Sequence, residues 1–376
     1  MACAAPAPTG TSGAGAAPTP SAEWDDPGWR ELIAAAQQEG RVVIAAGGEP
    51  SRSYRPVLDA FTKKYGVAAE MTTGNATDTV NRLLAERASG QFTVDIGLIA
   101  HNTSQRRLVP AGAIVPVEPF LVHPEVTDLS LWHGNRYWYA DEEQKFVFLY
   151  TARPEHSWRF WYNTQRLSAA EVATIKTLAD FFDPKWRGKN ASLAISDPAG
   201  LATLIRLYVS PEAGPEWVRK FLYESDITFT ADRRVLETWL TQGRYPLQFP
   251  AGSTDELMEL QKAGLPIKEV EIPKQQPGLQ TSSSASSIEV FDRPAHPNAA
   301  KLFLNWFLSR EGQAELQKIE GSLFASLRED IGYGNVDPLA RRSPGVVYTF
   351  DEAEPWRAAA ANAAVAQIQA WWEARP

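Results

Sequence analysis

Residues 41–100 read RVVIAAGGEPSRSYRPVLDAFTKKYGVAAEMTTGNATDTVNRLLAERASGQFTVDIGLIA. Arg41 to Ala46 is a short apolar run rich in β-branched residues, ended by Gly47-Gly48, which predicts a buried strand. Val57, Leu58 and Phe61 then recur at helical spacing up to Gly66. Val67 to Met71 predicts a second strand. Thr77 to Ala88 carries Val80, Leu83 and Leu84 on one face and predicts a helix. Val94 to Ala100 predicts a third strand. Strands alternating with helices at this spacing predict an α/β sheet with parallel strands. In such sheets a ligand sits outside the carboxyl ends of the strands, where helix N-termini gather. Those ends are Gly47 to Ser51, Thr72 to Ala76 and Ala100 to Thr103.

Outward from this block, Asp26-Pro27 followed by Trp29, Leu32, Ile33 and Ala36 predicts a capped helix with proline in its first turn, stopped at Gly40. Beyond residue 121 a second alternation begins. Phe146 to Tyr150, Trp158 to Tyr162, Ala191 to Ile195, Ile227 to Thr230 and Pro246 to Phe249 predict strands. Leu178 to Phe182, Ala202 to Tyr208 and Val235 to Thr241 predict helices. Ile288-Glu289-Val290 and a helix from Asn298 to Leu308 follow the Ser-rich passage Thr281 to Ser287. Trp356 to Trp372 is Ala-rich but interrupted by Arg357, Asn362, Gln367 and Gln369, which predicts a packed helix rather than a membrane span. Two α/β units with a return segment predict two lobes joined by crossing strands. The expected division is 24–121 plus 275–330 for lobe 1, 122–274 for lobe 2, and 331–376 as a C-terminal helical segment packing on the lobes.

The chain has 376 residues, 44% hydrophobic and 22% charged, enough for about two packed domains. Its net charge of -8 argues against a general nucleic-acid binder, which needs excess Lys and Arg. The single cysteine, Cys3, excludes an intrachain disulfide. Residues 4–22 are almost entirely Ala, Pro, Gly, Thr and Ser, a composition that cannot offset its own ordering entropy. Cys3 ahead of such a tether reads as the lipidated first residue of a bacterial lipoprotein; the other reading is an incidental residue in a tail. Residues 1–23 are thus expected to be an anchor Cys and a disordered tether, and the protein to sit outside the cytoplasm, held to the membrane only through lipid.

Four stretches carry a family resemblance: WRELIAAAQQEGRVVI from Trp29, TGNATDTVNRLLAERASGQFTVDIGLI from Thr73, YNTQRLSAAEVATIKTLADFFDPKWRGKNASLAISDP from Tyr162, and HPNAAKLFLNWFLSREGQAEL from His296. In this order and spacing they resemble the type 2 periplasmic solute-binding proteins of ABC importers, in the branch containing the ferric-binding proteins. The resemblance implies an α/β, two-lobed fold whose cleft closes on a solute at the hinge. It also implies a monomer that delivers the solute to a permease with its ATPase. Ferric members hold iron through adjacent tyrosines, a His after the first strand and a Glu after the third. The corresponding positions here are Ser253 and Thr254, Glu49 and His101. Fe(III) favours anionic oxygen ligands, so the loss of both phenolates argues against iron at that place.

Several cleft positions point instead to a small anionic or zwitterionic solute. Gly74-Asn75-Ala76-Thr77, Asp197-Pro198-Ala199-Gly200 and Gly252-Ser253-Thr254 each precede a predicted helix, where backbone N–H groups favour anions. Ser51 and Thr73 lie on the same predicted rims. Arg233 follows the strand Ile227–Thr230, where the resemblance points it to the cleft, and a guanidinium grips a carboxylate in two places. Glu49 could take a cationic end of the same solute. The structural alternatives are helix caps for the small residues and Glu49, a solvated helix start for Arg233, and a satisfied loop residue for His101. Trp132, Tyr137, Trp138, Tyr139, Trp158, Trp161 and Tyr162 can stack on a sugar or ring, or simply pack a core. Ser282 to Ser284 can offer hydroxyls or form a plain loop.

The sequence contains no G-x-S-x-G elbow, H-E-x-x-H, phosphate-binding Gly-rich Lys motif or C-x-x-C. The expectation is a binding protein without cofactor. Two alternatives remain open: a metal-complex receptor using His101 and Glu49 with exogenous anions, and an enzyme on the same fold.

Overall fold

The computed structural model describes residues 24, 26–47, 53–249, 255–281, 286–319, 322, 324–350 and 353–375; for residues 198, 255, 276, 339 and 355–358 only the backbone is described. Cys3, Glu49, Ser51, Ser253, Thr254 and Ser282 to Ser284 lie outside the described residues.

Along the chain run α1 (Pro27–Glu39), β1 (Arg41–Gly47), α2 (Arg55–Tyr65), β2 (Ala68–Gly74), α3 (Ala76–Ala88), β3 (Ile96–Leu98) and β4 (Ile114–Val115). Next come β5 (Trp138–Tyr139), β6 (Phe148–Leu149), β7 (Thr151–Asn163), β8 (Asn190–Leu193), α4 (Pro198–Val209), α5 (Gly214–Glu224), β9 (Thr228–Thr230) and α6 (Arg233–Thr241). The rest comprises β10 (Leu247–Gln248), α7 (Asp255–Lys262), β11 (Ile267–Gln280), β12 (Ser287–Phe291), α8 (Pro297–Leu308), α9 (Arg310–Leu316), β13 (Ala325–Ser326) and α10 (Pro355–Glu373).

The predicted first helix forms for the predicted reasons. The Asp26 side chain accepts the Trp29 N–H, Pro27 occupies the first turn, and Gly40 closes the helix at φ 77°. β1 pairs in parallel with β2 and β3. The first sheet continues through antiparallel β12 to β6 and β5, with β4 also on β12. The second sheet runs β11-β7-β10-β8-β9, with β13 on β7. Two sheets flanked by helices, each with its own buried cluster, form the two-lobed α/β architecture expected from the sequence.

α8 is the spine of the first lobe. Ala299, Ala300 and every residue from Leu302 to Leu308 are buried. Phe303 and Trp306 meet Phe61 of α2 edge-on or tilted. Each such ring contributes roughly 2–3 kcal/mol on burial. Asn305 is the polar exception, and its amide is satisfied on both ends. Oδ1 accepts the N–H groups of Val122 and His123, and Nδ2 donates to the carbonyls of Phe120 and Lys301.

Three differences from the expected organisation stand out. The boundary at 121 is too early: Trp132, Trp138, Tyr139 and Phe148 pack in the first core, and β5 and β6 join the first sheet, so the chain leaves this lobe near Tyr150. Two-residue strands and 3₁₀ turns there carry no readable period. The strand expected at Trp158–Tyr162 is the outer part of β7, and a partner of 14 residues, β11, was not anticipated. Leu178–Phe182 is a 3₁₀ turn rather than an α-helix.

β7 and β11 are the crossing strands. Ala152 packs in the first core and Phe160 in the second; Ile272 packs in the second core and Leu279 in the first. The C-terminal segment makes a third passage between the lobes. Tyr348, Phe350 and Ala353 lie in the first core, whereas Ala364 and Ile368 of α10 lie in the second.

Candidate functional site

The carboxyl ends of β1, β2 and β3 form one rim. Parallel register sets Gly47 level with Gly74. A Cβ at Gly47 would come within 2.9 Å of Ala76 Cα, so the glycine permits the close start of α3. Thr73, Gly74 and Asn75 are exposed on this rim. The Asn75 side chain accepts from Thr77 N at 2.8 Å and Asp78 N at 3.4 Å. It is therefore a helix cap that already engages the first free N–H groups of α3.

His101 begins the turn after β3. Its Nδ1 lies 3.1 Å from Thr281 Oγ1 and 3.4 Å from Ser286 Oγ. The ring thus meets the return segment between β11 and β12, so it sits where a crossing strand re-enters the first lobe. Tyr54 at the start of α2 and Tyr150 just before β7 touch through their hydroxyls at 2.9 Å. Sequence reading missed this pair, since nothing local links residues so far apart. Burial pushes Tyr54 up to about 12 and Tyr150 well above its ordinary value, so neither is disposed to become a phenolate ligand.

The second lobe supplies a charged rim. Asp197 caps α4, its Oδ1 accepting Ala199 N at 2.8 Å and Gly200 N at 3.4 Å. Arg233 holds the same carboxylate at two points. Partial burial opposes the charge on Asp197, but Arg233 and the two N–H groups outweigh it and keep its pKa below the ordinary value. Hydrogen bonding to Asp197 raises that of Arg233. Gly200 is needed for packing: a Cβ there would strike the Ala194 carbonyl. The structure therefore brings together Asp197, Ala199, Gly200 and Arg233 on one lobe, and Thr73, Gly74, Asn75 and His101 on the other.

Tyr162 stands apart. It is only 3% exposed, packs in the second core with Phe160 and Trp158, and pairs within the sheet between Leu247 and Lys268. Burial of the ring leaves only its hydroxyl for the expected ligand contact. Trp132, Trp138, Tyr139, Trp158 and Trp161 are likewise buried, so the aromatic groups pack cores. Among the described residues no group of three or more His, Cys, Asp or Glu side chains is placed to hold a metal ion. A hollow of about 450 Å³ between α1 and α8, lined by Trp24, Trp29, Leu32, Val122 and Lys301, contains none of these site residues.

Two α/β lobes joined by long crossing strands, with a rim of strand ends on one and of helix starts on the other, are the architecture of a receptor for small solutes. The chain belongs to the bacterial extracellular solute-binding protein family, whose model matches residues 57–327. No curated protein matches it by sequence. Solved structures share its fold at low identity. An ABC transporter protein from Clostridium perfringens is 15% identical, with a TM-score of 0.61 over 88% of this chain and 99% of that one. Iron-bound HitA from Pseudomonas aeruginosa is 16% identical, with a TM-score of 0.55 over the same shares. The periplasmic binding protein AfuA from Actinobacillus pleuropneumoniae, with fructose-6-phosphate bound, is 17% identical, with a TM-score of 0.51, again over 88% and 99%. The family places its members outside the cytoplasm and assigns them binding rather than catalysis. No helix among the described residues is long and apolar enough to cross a membrane.

Proposed function

We propose that this protein captures a small anionic or zwitterionic solute between its lobes and delivers it to an ABC permease driven by its ATPase. The observation that carries this reading is the Asp197 carboxylate seated on Arg233 and on the N–H groups of Ala199 and Gly200. That arrangement recognises a carboxylate in the protein's own chain, and about 44% of the Arg233 side chain still faces solvent. A solute carboxylate or phosphate engages the remaining guanidinium donors or takes the place of Asp197. Thr73, Gly74, Asn75 and His101 form the facing rim, with Glu49, Ser51, Ser253 and Thr254 as further contacts. The fructose-6-phosphate bound by AfuA, a protein of the same fold, supports an anionic headgroup.

Binding shifts an equilibrium between lobe arrangements, without bond chemistry. The protein acts as a monomer, tethered through lipid on Cys3. Calorimetry against sugar phosphates, phosphonates and carboxylates tests the reading. One anionic solute is expected to bind one to one, and Arg233→Ala to weaken it at least tenfold. Iron-bound HitA keeps a metal complex as the second reading, through His101 and Glu49 with exogenous anions. Tight Fe(III) citrate binding that survives Arg233→Ala would support it instead.

A further inference from the structure

Glu289 of β12 is fully buried opposite Gly97 of β3. The glycine makes its space, since a Cβ at residue 97 would lie 2.6 Å from Glu289 Oε2. Glu289 Oε1 lies 2.6 Å from Ser287 Oγ, and Ser287 Oγ lies 2.9 Å from the Ile99 carbonyl oxygen. Ser287 has a single hydroxyl hydrogen. If that hydrogen goes to Ile99, the contact with Glu289 needs a hydrogen from the carboxyl group. If Glu289 is ionised, Ser287 must choose one acceptor. Glu289 Oε2 and Ser104 Oγ are both buried without a well-formed hydrogen bond, and although the Ser104 hydroxyl is near enough to favour the anion, this is a poor setting for a charged oxygen.

Burial pushes Glu289 up to about 8, against the lowering influence of Ser287, Ser104 and Ile99, and the Asp141 charge adds to the rise. Among the described residues, the titratable groups that face it are Asp141, in the loop after β5, and Tyr150, just before β7. The neutral acid gives the Glu289 carboxyl hydrogen and the Ser287 hydroxyl hydrogen an acceptor each.

We propose that Glu289 is a positioning residue for His101: its carboxyl hydrogen completes a chain from Glu289 to Ser287 to the Ile99 carbonyl that pins the start of β12 to the end of β3. Ile99 lies two residues before His101, and Ser286, next to Ser287, touches the His101 ring together with Thr281. Loss of the proton frees Ser287 from Ile99, loosens the seat of His101 and places a negative charge beneath the rim. The inference rests on the proposed cleft only in treating His101 as a rim residue.

The test is the pH dependence of the His101 imidazole resonances in ¹⁵N-histidine-labelled protein, compared with Glu289→Gln and Ser287→Ala. In the wild type a step near pH 8 is expected in addition to the ring's own titration. Glu289→Gln, whose amide donates without titrating, should abolish that step, and Ser287→Ala, which removes the link but keeps the carboxyl, should diminish it. Thermal melts add a second readout. Because the native pKa lies above the unfolded value, the wild type loses stability as pH rises from about 4.5 to 8. Glu289→Gln should therefore match the wild type near pH 4 and melt progressively higher up to pH 8. A wild-type His101 without that step, or a folded Glu289→Gln that keeps it, would overturn the proposal. Neither readout uses a solute, so failure here is separable from failure of the proposed function.

Discussion

Arg233 and Asp197 form a two-point pair, Nε to Oδ2 at 3.0 Å and Nη2 to Oδ1 at 3.1 Å. The same carboxylate caps α4, so one side chain ties the starts of two helices, α4 and α6, at the candidate cleft. Arg233 is about 44% exposed, which limits the stability the pair supplies. Arg233→Ala should therefore lower the unfolding free energy by only about 1 kcal/mol, while the proposed role predicts a larger loss of solute affinity. The native pKa of Asp197 lies below its unfolded value, so this stability is present at neutral pH and fades as pH falls below about 4. Urea melts of the variant and wild type should converge in that range.

The second lobe also holds a half-buried ionic cluster. Glu155 of β7 meets Arg206 of α4 and Lys274 of β11, and Lys274 also lies 4.2 Å from the Trp158 ring centre. Burial opposes the Glu155 charge, yet the two cations bring its pKa to about 2. Glu155→Ala leaves two half-buried cations without their shared anion and should destabilise by about 1–3 kcal/mol at pH 7. The wild type holds the advantage above the unfolded value and loses it as pH falls from about 4.5 toward 2. Chemical unfolding across that range checks both size and sign.

Gly200→Ala should destabilise by about 1–3 kcal/mol, because the added methyl drives the first turn of α4 off the Ala194 carbonyl. Since Ala199 and Gly200 present the N–H groups at the rim, solute affinity should fall along with the melting temperature. A variant with a lower melting temperature but unchanged affinity would remove that turn from the site.

Ile368→Ala in α10 should destabilise by about 2–4 kcal/mol, since the side chain is fully buried in the second core. Tyr223 Oη also donates to the Trp371 carbonyl, fastening the end of the helix to α5. Hydrogen exchange should show α10 protected together with α4 and α5 rather than fraying alone.

Much of the first lobe was readable because β1 and β3 are largely buried and the helices α1 and α3 carry side-chain caps. Val42 to Ala46 and the Asp26-Pro27 start are local signals. β11 was hidden for a physical reason. It is an edge strand whose one neighbouring strand is β7, with a further bridge from Gly278 to Thr349, so Pro273, Pro277 and the charges of Glu269, Glu271 and Lys274 are tolerated where an inner strand would exclude them. At the site, the helix caps at Asn75 and Asp197 were legible as small or acidic residues ahead of helices. That Asp197 already occupies Arg233 was not, because the pair joins residues 36 apart. Tyr162 was legible as a strand residue, but the enclosure of its ring between Leu247 and Lys268 was not, because those partners are distant in sequence.

The central claim is that an anionic solute is held between the lobes. Native mass spectrometry of the protein as purified, followed by denaturing analysis of what it releases, tests it most directly. The account predicts a retained small molecule bearing a phosphate or carboxylate, with a reduced retained fraction in Arg233→Ala. Retention of a ferric ion, or of a neutral solute indifferent to Arg233→Ala, would contradict it.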